Sequence, residues 1–241
     1  MRRILLVRHG QSDGNVDDAF YMDPGDPLIE LTSTGWQQAR EAGKFLRYYY
    51  RNNPTADSNP PPIWASTFLR TRQTTKGILE GMGLPDDHPV RQDMRLVEQT
   101  YGAGCWAGKD ELARKLYNLS EDIYHANPIL TPLPLGESLM QQFMRVDSFM
   151  GTLHRDEQRQ GIDDVLIVAH GATIKNFLMR WFHIPDYEWK KLKTPHNCDV
   201  FELLQGEKGW QVRKIYDGEL KRIFRRDPLG GVSYGQGPVI L

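Results

Sequence analysis

Two stretches of the chain abandon the alternation of polar and apolar positions in the same way. Ile4-Leu5-Leu6-Val7 is an unbroken apolar run between Arg3 and Arg8, and Val165-Leu166-Ile167-Val168-Ala169 is a second. Short continuous runs of branched apolar residues mark strands buried on both faces, as in the middle of a parallel sheet. Each run ends on the same pair, His9-Gly10 and His170-Gly171. Ligands of open α/β sheets bind at the carboxyl ends of the strands. The pattern therefore predicts two imidazoles delivered to one pocket, with Arg8 beside the first. On the plainer reading, which two such sites beside an arginine argue against, each is a solvated turn histidine with its glycine in the left-handed position.

Elsewhere the apolar spacing is helical. Thr32-Ser33-Thr34-Gly35 offers a hydroxyl cap, and Ala39, Ala42, Gly43, Leu46 and Tyr50 then recur at a 3.6-residue period. Ile63-Trp64-Ala65 reads as a strand, after which Ser66-Thr67 is expected to cap a helix over 68–80 with Arg70 and Arg72 in its first turn. Val90-Arg91 reads as a third strand, 109–126 as a helix ending before Pro128, and Glu137-Ser138 as the start of a long helix. Leu139, Phe143, Val146, Met150 and Leu153 share one face of that helix. A further helix follows His170, with Ile174, Phe177, Leu178 and Trp181 inward. Residues 198–204 and 210–216 form a predicted hairpin. Three segments lack periodicity: 16–30, expected over the pocket mouth; 52–62, a proline-rich surface loop; and 221–226, a basic, irregular stretch. Strands alternating with helices give an α/β fold.

Composition narrows the function classes. At 241 residues, 39% apolar and 25% charged, the chain can bury a full core without disulfides or metal. A formal charge of -1 provides no global attraction to nucleic acid or anionic lipid, so neither is expected as a partner. Cys105 and Cys198 have neither disulfide nor zinc spacing. No apolar stretch approaches the roughly 20 residues of a membrane span. The expectation is a cytoplasmic protein with one catalytic domain over 1–226 and an irregular tail over 227–241; its oligomeric state stays open.

A pocket holding Arg8, His9, Asn15, Arg70 and His170 suits a tetrahedral oxyanion. Guanidiniums present planar forked donors to phosphate oxygens, and phosphoryl transfer gains mainly from positioning and from stabilising those oxygens. The histidine spacings match no metal motif, and crowded arginines repel a divalent cation. No metal or other cofactor is expected. A neutral imidazole is a competent nucleophile towards phosphorus, and His9, fixed at a strand end beside Arg8, is the better candidate. The proton donor needed by the leaving oxygen remains open among Glu98, Asp13 and Asp93.

The runs Leu5 to Ser12, Leu31 to Ala39 and Ser66 to Thr74, together with Gly136-Glu137-Ser138 and Val165 to Gly171, resemble the histidine phosphatase superfamily, phosphoglycerate mutase-like branch. The resemblance implies a three-layer α/β/α sandwich around a mostly parallel sheet, with His9 as the phosphorylated nucleophile. It also implies Arg8, Arg70 and His170 as the phosphate pocket, Asn15 as a further phosphate contact, and Glu98 as the proton donor. Where many relatives carry Trp-Glu-Gly after the donor, this chain has Trp106-Ala107-Gly108. The stretch from Arg95 to Gly102 looks closer to broad-specificity acid phosphatases of plant and fungal type. The implied activity is hydrolysis of a small-molecule phosphate ester. A phosphoglycerate mutase is an alternative, since Lys109, Arg114 and Lys115 lie where mutases hold a substrate carboxylate. A non-catalytic phospholigand-binding module is another.

Overall fold

The first strand, β1 (Arg3–Arg8), shows why its apolar run is unbroken. Ile4 and Leu6 join Phe149, Phe177 and Leu178 in a core on one side of the sheet, while Leu5 and Val7 join Ala39, Leu46 and Ile78 in a core on the other. The structure is a computed structural model and describes residues 1–21, 23, 25–55, 60–102 and 111–224. Among these, the further strands are β2 (Ile63–Ala65), β3 (Val90–Gln92), β4 (Asp164–Ala169), β5 (Val200–Gly206), β6 (Gly209–Asp217) and β7 (Arg222–Ile223). The helices are α1 (Asp13–Val16), α2 (Ser33–Asn52), α3 (Leu69–Met82), α4 (Glu111–Ala126), α5 (Leu139–Gln160) and α6 (Gly171–Trp181).

One sheet runs β3-β2-β4-β1-β5-β6-β7. The strands β3, β2, β4 and β1 are mutually parallel, and β5 to β7 extend the sheet antiparallel from β1. Helices α2 and α3 cover one face, α5 and α6 the other, giving the three expected layers. Helix α2 begins as its sequence requires: Gly35 N donates to the Thr32 hydroxyl at 3.0 Å. Ser138 caps α5 in the same way, with Gln141 reaching back to complete a capping box.

Two expectations change. The helix after β2 starts at Leu69 and has Phe68 at its cap position, so Ser66-Thr67 is not its cap; the Ser66 hydroxyl is needed elsewhere, as shown below. Part of the basic stretch after Lys221 is ordered, because Arg222 and Ile223 pair with Asp217 and Tyr216 of β6. Neither His-Gly glycine has a positive φ. They are required by close approach instead. A Cβ on Gly10 would lie 2.6 Å from the Gly35 carbonyl oxygen, and one on Gly35 would lie 2.0 Å from that of Gln11. Backbone cannot yield as a side chain can. Gly35→Ala is therefore expected to destabilise the fold by about 2–3 kcal/mol and to lower activity by moving the segment that follows His9, measured by chemical denaturation and assay of the same sample. Cys105, Trp106 to Gly108, Lys109 and the 227–241 tail lie outside the described residues.

Register decides what meets at the sheet edge. Arg3 stands opposite Asp164 and Arg8 opposite Ala169. At the far end Arg3 and Asp164 form a buried ion pair, to which Thr55 adds a hydroxyl at 2.7 Å and Asn53 a carbonyl acceptor at 2.7 Å. A one-residue slip would leave both charges buried and unpaired, a loss of roughly 3–5 kcal/mol. The same alignment carries His9 to His170.

Candidate active site

Beyond the strand ends the chain continues the pairing for one residue. His9 N donates to the Ala169 carbonyl at 2.9 Å, and Ser66 N donates to that of Val168 at 3.0 Å. His9, His170 and Ser66 thus stand side by side. The two imidazole centroids are 5.2 Å apart with planes at 61°. Both rings are buried. Burial, reinforced by the charges of Arg70 and Arg8, holds both well below the ordinary histidine range and keeps them neutral.

The tautomers follow from the partners. His9 Nδ1 lies 2.7 Å from the Gly10 carbonyl oxygen, which can only accept, so the proton is on Nδ1 and the lone pair on Nε2. His170 Nε2 lies 2.8 Å from the Ser66 hydroxyl, whose oxygen also receives Phe68 N–H at 3.3 Å. The hydroxyl proton has no other acceptor among the described residues, and donating it to Nε2 puts the His170 proton on Nδ1. His170 Nδ1 is buried with no partner among the described residues, as is Arg8 Nε. Two buried donors without acceptors are a costly arrangement that an anion resolves.

Arg8 is held by donation from Nη1 to the Pro195 carbonyl at 2.6 Å. Arg70 is buried, its guanidinium carbon 4.9 Å from the Phe68 ring centroid, and Phe68 in turn packs edge-on to His170. Its Nη1 meets both the carbonyl (2.7 Å) and the carboxylate (2.8 Å) of Asp26. An arginine in the first turn opposes the helix dipole; Asp26 offsets that cost without any ligand. Arg72 from the same turn is exposed. Segment 16–30 therefore reaches the site, through Asp26 and through Tyr21, which feels the charges of Arg70, Arg8 and Glu98.

Of the three carboxylates, Asp93 is tied to Arg95 at 2.5 Å and Asp13 opens α1. Glu98 faces the pocket. Its Oε1 accepts from Gln99 N (3.0 Å) and Gln142 Nε2 (3.2 Å), and its Oε2 from Ala172 N at the start of α6 (3.2 Å). A Cβ on Gly171 would press on Thr194 Cγ2 at 2.8 Å and would lie 3.7 Å from both Glu98 Oε2 and Arg8 Nε, so this glycine stands between those two groups. Glu98 belongs to a loop, which Arg145 clamps by donating to the Glu98 carbonyl at 2.9 Å and that of Arg95 at 2.7 Å.

Asn15 is brought to the rim by a different route from the strand tips. Its Oδ1 accepts from Ser12 N (3.1 Å) and Asn197 Nδ2 (3.1 Å), bonds that do not engage its amide nitrogen. Asn197 also donates to the His9 carbonyl at 3.0 Å. Ser66, Asp26, Asn197 and Gln142 have no sequence signal that singles them out; Ser66 was legible only as a helix cap. A group of possible metal ligands, His196, Asp199 and Asp217, lies close together outside the pocket. Lys214 already occupies both carboxylates, at 3.0 and 2.7 Å, and backbone amides take further lone pairs. It is an ion-pair cluster in its present form.

Behind Glu98, Lys175 is almost fully buried, its ammonium 3.5 Å from the Trp189 ring centroid. Burial lowers its pKa from 10.5 to about 8, against the pull of Glu98. Such a shift corresponds to roughly 3 kcal/mol against the buried charge, of which the aromatic face offsets about 1. The unfolded chain holds this proton more tightly than the folded one, so stability from this group rises with pH between about 8 and 10.5. Lys175→Met is expected to stabilise the protein by about 2 kcal/mol at neutral pH, with the gain shrinking towards zero above pH 10.5. Paired urea titrations of both proteins across that range measure it.

An α/β sandwich with paired histidines at adjacent parallel strand tips, two arginines and a loop carboxylate presents a pocket whose charges and donors suit an anion. The chain belongs to the histidine phosphatase superfamily (branch 1), whose family model matches residues 4–218. It is 32% identical over 214 residues to phosphoglycerate mutase-like protein AT74 of Arabidopsis thaliana; the alignment takes in 85% of this chain but spans only 66% of that relative's length. It is 31% identical to a 2,3-bisphosphoglycerate-dependent phosphoglycerate mutase of Bartonella quintana, covering 74% of this chain and 80% of the relative. Among solved structures, the α-ribazole phosphatase of Shigella flexneri superposes with a TM-score of 0.67 at 20% identity, covering 88% and 95% of the two chains. A mycobacterial glucosyl-3-phosphoglycerate phosphatase in complex with VO3 gives 0.64 at 23%, covering 89% and 97%. At these identities the structures establish the shared fold.

Proposed function

We propose that this chain hydrolyses phosphomonoesters without a metal, through a phosphohistidine at His9. The observation that carries the reading is the fixed tautomer of His9: Nδ1 is committed to Gly10, so the Nε2 lone pair is available beside two guanidiniums and the unpartnered His170 Nδ1–H. In the first step Nε2 attacks phosphorus and the bond to the ester oxygen breaks. The leaving oxygen takes a proton from Glu98, while Arg8, Arg70 and His170 hold the three equatorial oxygens. In the second step water attacks phosphorus, passes its proton to Glu98, and phosphate departs from His9. The arginines supply the positive charge that a divalent ion provides elsewhere.

The mutase-named relatives support a second reading, in which the phosphoryl group returns to an organic acceptor. The purified protein, with chelator present, is assayed against a panel of phosphomonoesters and against 3-phosphoglycerate with 2,3-bisphosphoglycerate, recording phosphate release and isomerisation separately. Release across several esters is expected. Isomerisation with little release transfers the assignment to mutase, and silence in both channels leaves a phospholigand-binding module.

A further inference from the structure

Behind Glu98 runs a buried chain of side-chain hydrogen bonds that the phosphate pocket does not use. Trp189 Nε1 donates to Asn176 Oδ1 at 3.0 Å, Asn176 Nδ2 to Gln142 Oε1 at 2.9 Å, and Gln142 Nε2 to Glu98 Oε1 at 3.2 Å. Asn176 and Gln142 are fully buried. The orientation of an amide is ordinarily a matter of which neighbours it has. Here it is forced from one end, because an indole nitrogen can only donate. Asn176 must present oxygen to Trp189 and nitrogen to Gln142, and Gln142 must present oxygen to Asn176 and nitrogen to Glu98. A second anchor agrees: the Thr173 hydroxyl donates to the Val97 carbonyl at 2.8 Å, so it can only accept from Gln142 Nε2, at 3.1 Å. Lys175 holds the indole itself by its cation–π contact.

We infer that Trp189, Asn176 and Gln142 are positioning residues that fix which oxygen of Glu98 carries the transferable proton. The inference rests on Glu98 being the proton donor proposed above. Oε1 receives two N–H donors, from Gln99 and Gln142, and has no room for a proton of its own. Among the described residues Oε2 receives only Ala172 N–H, and it lies beside Gly171, on the side that Arg8 Nε also borders. The proton therefore sits on Oε2, on the pocket side. Without the relay the carboxyl can rotate or load Oε1, and the proton is delivered away from the leaving oxygen.

A donor matters most when the leaving group is a poor one, which separates this role from general damage to the site. Wild type, Gln142→Met, Asn176→Asp, Trp189→Phe and Glu98→Gln are compared on p-nitrophenyl phosphate, whose leaving group needs little protonation, and on β-glycerophosphate, whose alkoxide needs it fully. Gln142→Met is expected to lower kcat on the alkyl ester about tenfold, with KM and the aryl ester changed less than about twofold. Asn176→Asp is nearly isosteric and still accepts from Trp189, but it cannot donate. The Gln142 oxygen then faces a carboxylate with no proton between them; turning to relieve this takes Gln142 Nε2 away from both Glu98 and Thr173, and the same alkyl-selective loss is expected. Trp189→Phe keeps the ring under Lys175 and releases only the directionality, for a loss of about two- to threefold on the alkyl ester.

Equal losses on both esters, or none, in Gln142→Met and Asn176→Asp overturn the relay. Should Gln142→Met fail to fold, Asn176→Asp decides alone. An unchanged Trp189→Phe overturns the indole as the source of direction. Glu98→Gln tests the underlying assignment separately: if it shows no alkyl-selective loss, the donor is wrong; if it does while the relay variants do not, only the relay is wrong.

Discussion

His9→Ala is expected to lower kcat/KM for phosphate esters by roughly 10⁴-fold or more, with the fold intact. The size of the effect follows from the tautomer. Nδ1–H is bound to Gly10, burial and the two arginines keep the ring neutral, and Nε2 is the atom positioned to attack. Removing the imidazole leaves Arg8, Arg70 and His170 able to bind phosphate but removes the group that splits the displacement into two steps. Inorganic phosphate should therefore still stabilise the variant against thermal unfolding while turnover falls to background. Rapid quench of wild type and labelled ester into alkaline detergent should retain label in an acid-labile, base-stable adduct, as a phosphoramidate behaves; the variant should retain none. Residual turnover within tenfold of wild type would remove His9 from the nucleophile role.

Glu98→Gln is expected to lower kcat on alkyl phosphates by about 10²- to 10⁴-fold with little change in KM. Glutamine keeps the shape, and with its oxygen towards Gln99 and Gln142 it gives up only the Ala172 bond, so the loop clamped by Arg145 should stay in place. What it cannot do is release a proton to the leaving oxygen and recover it from water. The loss should be largest for the least acidic leaving groups and should also slow dephosphorylation of His9, so trapped phosphoenzyme should accumulate on activated esters. An equal loss across leaving groups would point to damage in phosphate binding.

How much of this was legible in the chain differs from element to element. The unbroken apolar runs at Ile4 to Val7 and Val165 to Ala169 dictated doubly buried strands, because no alternating pattern can hide both faces of a central strand. Their shared His-Gly endings were enough to predict a pocket with two imidazoles, and the stripes on α2, α5 and α6 were periodic enough to place those helices. The family resemblance, carried by motifs in order along the chain, singled out Glu98, which spacing alone could not separate from Asp13 and Asp93. Local periodicity encodes burial, and burial was enough for the elements and for the strand-borne residues.

Only the tertiary structure decided the rest, since it depends on contacts between residues far apart in the chain. The alignment of His9 with His170 rests on Arg3 and Asp164, 161 positions apart. Gly10 could be read as a turn glycine and is instead pressed against Gly35. Ser66 looked like a helix cap and instead sets the His170 tautomer. Asp26 reaches Arg70 from an irregular segment, and the Trp189–Asn176–Gln142 chain reaches Glu98 from two helices and a 3-10 turn with no periodic signature. Hydrophobic patterning says which face of an element is buried, whereas hydrogen-bond partnership is fixed only when the elements have packed. The strand-end chemistry was therefore written in the sequence, and its protonation states were settled by the fold.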